Sequence, residues 1–400
     1  MTGDGSPAAY PFSPASGNDL DARLGQLRES TPVCPIRLPY GDEAAWLVTR
    51  YEDVRRVLSD PLFSRAAACG AQVPRMTPEP GSSASILMTD RPEHDRLRRI
   101  VTSAFTTRRV NNLRPRITAL TEQLLDDVEA AGPPADLVPL LALPLPLLVI
   151  CELLGVPVED RTTFRQWVDP IMSSTAYRPE QVRQALDDFS DYVCDLIEER
   201  RTRPSGDLLS ALIHAHDVDG RLTELELVTF AGTLLIAGHE NTANMIGNAV
   251  VTLLETPSHW ARLSAEPHIV ASAVEELLRY LAQGTGVSFA RVATGDVTLS
   301  GVRIPVGAPV VVSLPAANRD PRVFADPESV NLSRSPNPHL AFGPGIHHCV
   351  GSSLARAELQ VVLGAMSRRW PRLSLARPAV DLGWKKGLLA RAPTQVPVVW

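Results

Sequence analysis

The chain has 400 residues, 44% hydrophobic and 21% charged, a balance that builds a large core and excludes a disordered chain. A net charge of −6 excludes nucleic acid as the main partner, because phosphate binding favours a basic surface. Cys34, Cys69, Cys151, Cys194 and Cys349 lie far apart without CxxC spacing, which points to reduced thiols in a reducing compartment.

The first ~20 residues are rich in Pro, Ser and Gly and read as irregular chain. They lack the basic-then-apolar order of a signal peptide. Residues 45–49 have a strand-like pattern, and 51–58 place Val54 and Leu58 on one helical face. Residues 64–85 have no sustained period and read as a long loop, a frequent site of binding in compact enzymes. From 93 to 201 the period is mainly helical, with breaks at Gly132-Pro133-Pro134 and near Tyr177-Arg178-Pro179. Within it, 137–156 is strongly apolar. Pro139, Pro144, Pro146 and Glu152 make it a poor membrane span and a better buried connection into a core helix.

The strongest helix opens at Thr223 and Glu226, a Ser/Thr-x-x-Glu capping box, and its apolar run continues to Leu254, before Pro257. Some 30 residues make a rod of roughly 45 Å. A helix this apolar around its circumference is buried on most sides. Another helix covers 269–280. Short β-like runs follow at 287–292, 297–304 and 310–314. A last helix spans 352–369, and the tail alternates turns with short strands. The expected architecture is mainly α with small β-sheets near both ends of the chain. It forms one domain over 1–400, soluble, cytoplasmic and monomeric, with no internal repeats.

The clearest chemistry lies in Phe342-Gly343-Pro344-Gly345-Ile346-His347-His348-Cys349-Val350-Gly351. Its glycines let the backbone approach a flat object closely. The cysteine falls just before a helix N-terminus, whose unpaired N–H groups favour an anionic sulfur and lower its pKa. By itself this also describes a buried structural cysteine in a Gly-rich turn. A zinc site through His347, His348 and Cys349 lacks a second pair of ligands.

The ten-residue pattern resembles the cytochrome P-450 haem-binding signature, Phe-Gly-x-Gly-x-His-x-Cys-x-Gly, and Leu354-Ala355-Arg356 follows as is usual in bacterial members. The resemblance runs from about Trp46 to the C-terminus. It implies the cytochrome P-450 fold, a long central helix over a haem b whose iron is held by Cys349. The implied haem contacts are His94, Arg98, Ala237, Gly238, Arg291, Phe342, Gly343, His347 and Gly351. Glu276 and Arg279 match the family's Glu-x-x-Arg helix, an i, i+3 pair that orders the core. Ser329 stands where many members carry a further arginine, and either Arg319 or Arg334 is open to replace it.

In Leu235-Ile236-Ala237-Gly238-His239-Glu240-Asn241-Thr242 the resemblance places the oxygen-activating segment. Glu240 takes the acid position, Asn241 stands where threonine is usual, and Thr242 follows about 100° further round the helix. Either the Asn241 amide holds the proton-delivering water, since it both donates and accepts, or a substrate hydroxyl helps deliver the proton. Substrate contacts implied by position are Met88 in the 86–88 segment, Ile236, Val287, Phe289 and Leu388. They are mainly apolar and suit a bulky hydrophobic compound, such as a macrolide or polyketide intermediate that is hydroxylated or epoxidised. No flavin or iron–sulfur module is legible, so electrons are expected from a separate ferredoxin and NAD(P)H-dependent reductase, docked by Arg99, Arg108, Arg109 and Arg356. Two other readings remain open at this point: a haem-binding protein with degraded catalysis, and a cysteine-nucleophile hydrolase with His347 or His348 as base.

Overall fold

The computed structural model describes residues 6–13, 17–70, 72–102, 105–157, 160–281 and 289–400. The first helices are α1 (Ala22–Ser30), α2 (Tyr51–Ser59), α3 (Glu93–Thr102), α4 (Thr107–Ala131) and α5 (Pro144–Leu154). Then come α6 (Arg161–Ile171), α7 (Pro179–Thr202), α8 (Leu208–Asp217) and α9 (Glu224–Glu255). The last are α10 (Pro257–Ala265), α11 (Val270–Tyr280), α12 (Leu314–Ala317) and α13 (Ser352–Arg369). The strands are β1 (Ala8–Ala9), β2 (Val33–Arg37), β3 (Ala45–Val48), β4 (Phe63–Ser64), β5 (Ala135–Asp136) and β6 (Arg291–Ala293). Then follow β7 (Val297–Leu299), β8 (Val302–Ile304), β9 (Pro309–Val312), β10 (Ser374–Leu375) and β11 (Pro397–Val399).

The capping box forms at the start of α9: Thr223 Oγ1 accepts from the Glu226 N–H, and Glu226 Oε2 accepts from the Thr223 N–H at 2.8 Å. Both satisfy orphan donors of the first turn. At 1.5 Å per residue the helix is about 48 Å long. From Leu227 to Leu254 it is largely buried, wrapped by α5, α7, α8, α10 and α13. Residues 137–156 form a single wide π-turn at Val138–Ala142 followed by α5, both packed in the same core. Among the described residues no helix is long and apolar enough to cross a membrane.

Several elements depart from the sequence pattern. The strands lie near both ends of the chain as expected, β5 apart, but the sheets join those ends to each other. The six-stranded sheet, ordered β1-β2-β3-β9-β6-β4, joins both halves through the parallel pair β3–β9. A second sheet pairs β11 with β5, and thus the C-terminal tail with the segment after α4. Strand β2 is hidden in the sequence by Pro35. Its missing N–H is tolerated because β1 pairs only with Ile36 and Arg37, leaving Pro35 free of a partner on that side. The run 297–304 is two strands, since Ser300 and Gly301 both adopt positive φ and turn the chain into a two-residue hairpin. Helices α1, α8 and α10 form in stretches for which the sequence pattern gives no helical expectation. Residues 287 and 288 of the 287–292 run fall outside the described residues.

Candidate active site

A cavity of about 310 Å³, the main one at the cysteine loop, lies between α9 and that loop where it leads into α13. Ala237, Gly238, Asn241 and Thr242 of α9 face it from one side, and Phe342, Gly343, His347, Cys349 and Gly351 from the other. Ala237 and Asn241, one turn apart, open onto it, and Thr242 lines it too although it is largely buried. Gly238 also serves a second purpose: a Cβ there would lie 2.6 Å from Ile150 Cδ1, so it lets α5 pack against α9.

The loop holds its shape through Cys349 N–H donating to Phe342 O at 2.9 Å and Gly343 N–H to Leu340 O at 2.9 Å. Gly345 has φ +81°, and a Cβ at that position would sit 2.6 Å from Leu58 O. Gly345→Ala is therefore expected to cost at least ~1–2 kcal/mol, since left-handed backbone and a backbone collision add together; thermal denaturation beside the wild type measures it. Outside the loop, Arg356 covers the Phe342 ring at 4.5 Å and pairs with Glu275 at 2.7 Å, while His339 Nε2 meets the same carboxylate at 2.9 Å. Burial alone would raise the Glu275 carboxyl, but His339 and Arg356 hold it at about 2.

Cys349 opens onto the cavity with protein on its other sides. The helix end pulls the thiol down, as its position leads one to expect, but burial outweighs it. Burial pushes it up, against the Gly351 N–H, Arg98 and Arg356, which pull the other way. The hydrolase reading finds no base: His348 Nδ1 bonds Gly343 O at 2.7 Å and its Nε2 faces Ser352 Oγ at 3.3 Å, while His347 packs edge-on against His94 at 4.5 Å. Among the described residues no group of three His, Cys, Asp or Glu side chains forms a protein-only metal site.

One end of the cavity is lined by polar groups lacking acceptors. Arg291 is 2% exposed, and neither of its terminal nitrogens has a hydrogen-bond partner among the described residues; His347 Nε2 and both His94 ring nitrogens share that state. Asp95 Oδ1, at 3.8 Å from His94 Nδ1, is too far to serve. Arg98 stands half-buried one turn along α3 from His94. Burial, with Arg65, His94, Arg291 and Arg98 around it, pushes His347 down to about 2. Unpaired buried donors are costly, and Arg65, Arg291 and His347, which carry such nitrogens, line the same cavity as Cys349. A flat apolar ring bearing two carboxylates and a metal ion fits this donor set.

Glu276 and Arg279, both 0% exposed, pair at 2.7 Å. Arg334, not Arg319, takes the place left by Ser329: its Nε donates to Glu276 Oε2 at 2.9 Å. Arg319 instead bonds Glu328 at 2.6 Å and Tyr280 O at 3.0 Å.

Other expected site residues lie elsewhere. Glu240 is turned from the main cavity and buried against Lys385 Nζ at 2.6 Å and Asn244 Nδ2 at 3.0 Å. Met88 packs over Gly81, where an added Cβ would meet its side chain, and Ile236 packs on the helical core. Phe289 is half exposed, with the Arg65 guanidinium over its ring at 5.4 Å. Leu388 lines a second cavity of about 200 Å³ beside Asn244, Lys385 and Lys386. Position along the chain does not tell which way a side chain points, which is why Met88, Ile236 and Phe289 miss the main cavity. Val287 lies outside the described residues. Of the docking arginines, Arg356 is occupied by Glu275, Arg99 bonds Asp95 O at 3.1 Å, and Arg108 and Arg109 are exposed. Two further residues belong to the site without having been expected from the sequence. Arg65, 8% exposed, lines the cavity beside Arg291, and nothing in its local pattern marks it. Lys385 is one of only two lysines in an arginine-rich chain, and that rarity is a signal the sequence does carry.

A family model described as cytochrome P-450 matches residues 29–371. The nocardicin C N-oxygenase of Nocardia uniformis subsp. tsuyamanensis is 48% identical over 98% of this chain and 98% of its own length. The mycinamicin IV hydroxylase/epoxidase of Micromonospora griseorubida is 45% identical over 98% of this chain and 99% of its own. The solved structure of HinD superposes with a TM-score of 0.96 at 45% identity, covering 99% of this chain and 100% of that one. Likeness of this extent, on a chain whose cysteine faces a cavity lined by the Arg291 guanidinium, whose terminal nitrogens have no partner among the described residues, makes the protein a member of the cytochrome P-450 family, the haem-thiolate monooxygenases.

Proposed function

We propose that the main cavity binds haem b, with Cys349 Sγ on the iron and its carboxylates on His94, Arg98, Arg291 and His347. The chain then inserts one oxygen atom from O2 into a bulky hydrophobic molecule of the macrolide or polyketide class. The observation that carries the reading is that buried Arg291 and His347 nitrogens, without hydrogen-bond partners among the described residues, line the cavity that Cys349 faces, with the equally unpaired His94 ring packed against His347. The mycinamicin IV hydroxylase/epoxidase supports the substrate class. Iron on a thiolate supplies oxygen activation when bound.

The chain's own residues manage binding and protons. Ala237 and Gly238 carry nothing larger than a methyl on the cavity side of α9 and would leave room for a ring to bind there. Asn241 presents an amide to the cavity that both donates to and accepts from a water. Asn241→Ala is expected to lower product formed per NADPH consumed about tenfold, the worth of one hydrogen bond, while Asn241→Thr stays within about threefold of wild type. Undiminished coupling of the alanine variant with hydroxylated substrates would instead make the substrate the proton donor.

Glu240 acts from behind, as an anion held by Lys385. Burial would raise its carboxyl, but the Lys385 ammonium and the Asn244 amide bring it below its ordinary value. The stability this pair adds is present above the ordinary carboxylate range and is lost as pH falls through the lowered value. In Lys385→Met, burial dominates and the carboxyl rises. The acid limb of the pH–activity profile should then move to higher pH, with turnover at neutral pH falling roughly tenfold or more. A profile that stays in place would remove Glu240 from proton delivery.

Two electrons arrive from a separate ferredoxin and NAD(P)H-dependent reductase, with Arg108 and Arg109 exposed to meet an acidic partner. The protein works as a single-domain monomer in the cytoplasm. The reduced carbon monoxide difference spectrum tests the central claim: a thiolate-bound haem has a distinctly red-shifted Soret band, and purified protein without haem defeats it. Turnover with a surrogate ferredoxin system separates a catalyst from a haem binder. Spin-state shifts on adding macrolide aglycones test the substrate class.

A further inference from the structure

Arg65 has an uneven set of partners. Its backbone N–H donates to Asp90 Oδ1 at 3.0 Å, and its Nη1 donates to the carbonyl of Leu87 at 2.8 Å. Its Nε is buried without a hydrogen-bond partner among the described residues, as are both terminal nitrogens of Arg291. Both side chains line the main cavity. A guanidinium stays charged at any ordinary pH, so two of them side by side call for an anion in the space they share. Arg65, Arg98 and Arg291 outnumber the half-buried Asp90 among them, and two further carboxylates balance the charge.

Leu87 belongs to the 3-10 turn Ile86–Met88, which closes the long 64–85 loop and leads into α3. We propose that Arg65 is a shared clamp, holding a haem carboxylate with its free edge and the Leu87 carbonyl with Nη1. Seating the cofactor thereby fixes the turn at the end of the loop expected to meet substrate. A lysine cannot do both, because its ammonium is one point charge and not a planar fork. The inference rests on the reading that the cavity binds haem.

Hydrogen exchange at the Met88 amide, which donates to Ser85 O within the turn at 2.8 Å, reports the coupling. In the wild type, haem should slow this exchange at least about tenfold. In haem-loaded Arg65→Gln it should remain within about twofold of the haem-free protein, and transfer of haem to apomyoglobin should run roughly ten- to hundredfold faster. Arg65→Lys should retain haem better than the glutamine variant yet leave the turn unprotected. Arg291→Gln should speed haem transfer without loosening the turn. Wild-type exchange and transfer rates in Arg65→Gln, or full protection in Arg65→Lys, overturn the clamp while leaving the haem site standing. If the wild-type protein binds no haem, the reading of the cavity fails and the clamp falls with it.

Discussion

Arg279→Ala is expected to destabilise the folded chain by ~3–5 kcal/mol, the cost of leaving one partner of a buried ion pair alone. The position is demanding because Arg279 has no exposed surface and its donors are all engaged. Nε and Nη2 reach the two Glu276 oxygens at 2.8 and 2.7 Å. Nη1 reaches Asn318 O at 3.0 Å and Pro327 O at 2.8 Å, and Nη2 also meets Ser329 O at 3.0 Å. One side chain thus ties α11 to the segment that runs toward the cysteine loop. Its loss should loosen that loop and release haem as well as lower stability. Arg334→Ala should cost less, because Arg279 remains on Glu276 and the Arg334 side chain is near the surface, at 9% exposure. Urea denaturation of the two variants beside the wild type checks the order. Equal, small losses would mean that solvent reaches Glu276 and that the pair is not a core element.

Cys349→Ala is expected to abolish product formation and the red-shifted carbon monoxide band together. The cations at the rim and the apolar walls remain, so the variant should still take up haem, more weakly and without the thiolate spectrum. None of Cys34, Cys69, Cys151 and Cys194 lines the main cavity. Retention of the red-shifted band would therefore require a sulfur that the fold keeps away from the site, and it would overturn the assignment of the ligand. Cys349→His should give a histidine-type band, separating loss of the thiolate from loss of the haem.

Much of the helical frame is legible in the sequence. The Thr223/Glu226 box, the breaks at Gly132-Pro133-Pro134 and before Pro179, and the span Ser352–Arg369 all follow from local rules. The strands are less so. Strand β2 contains a proline tolerated only because its neighbour β1 is two residues long, and β5 is recognisable only from its partner near the C-terminus. In the site, Cys349, Arg291 and His347 follow from a motif or a family register. Arg65 follows from neither.

The sequence alone points to Cys349 as the centre of the site, to the long α9 and to the family, because capping, periodicity and a ten-residue motif act between residues close along the chain. Tertiary structure decides everything that depends on which distant side chains meet. It selects Arg334 over Arg319 for Glu276, pairs Lys385 with Glu240 across 145 positions, and sets Arg65 beside Arg291. At the Cys349 thiol it sets burial by the surrounding fold against the end of its own helix, and burial outweighs it. Proximity along the chain governs hydrogen bonds within a helix turn, while charge and desolvation are set by whatever the fold packs alongside.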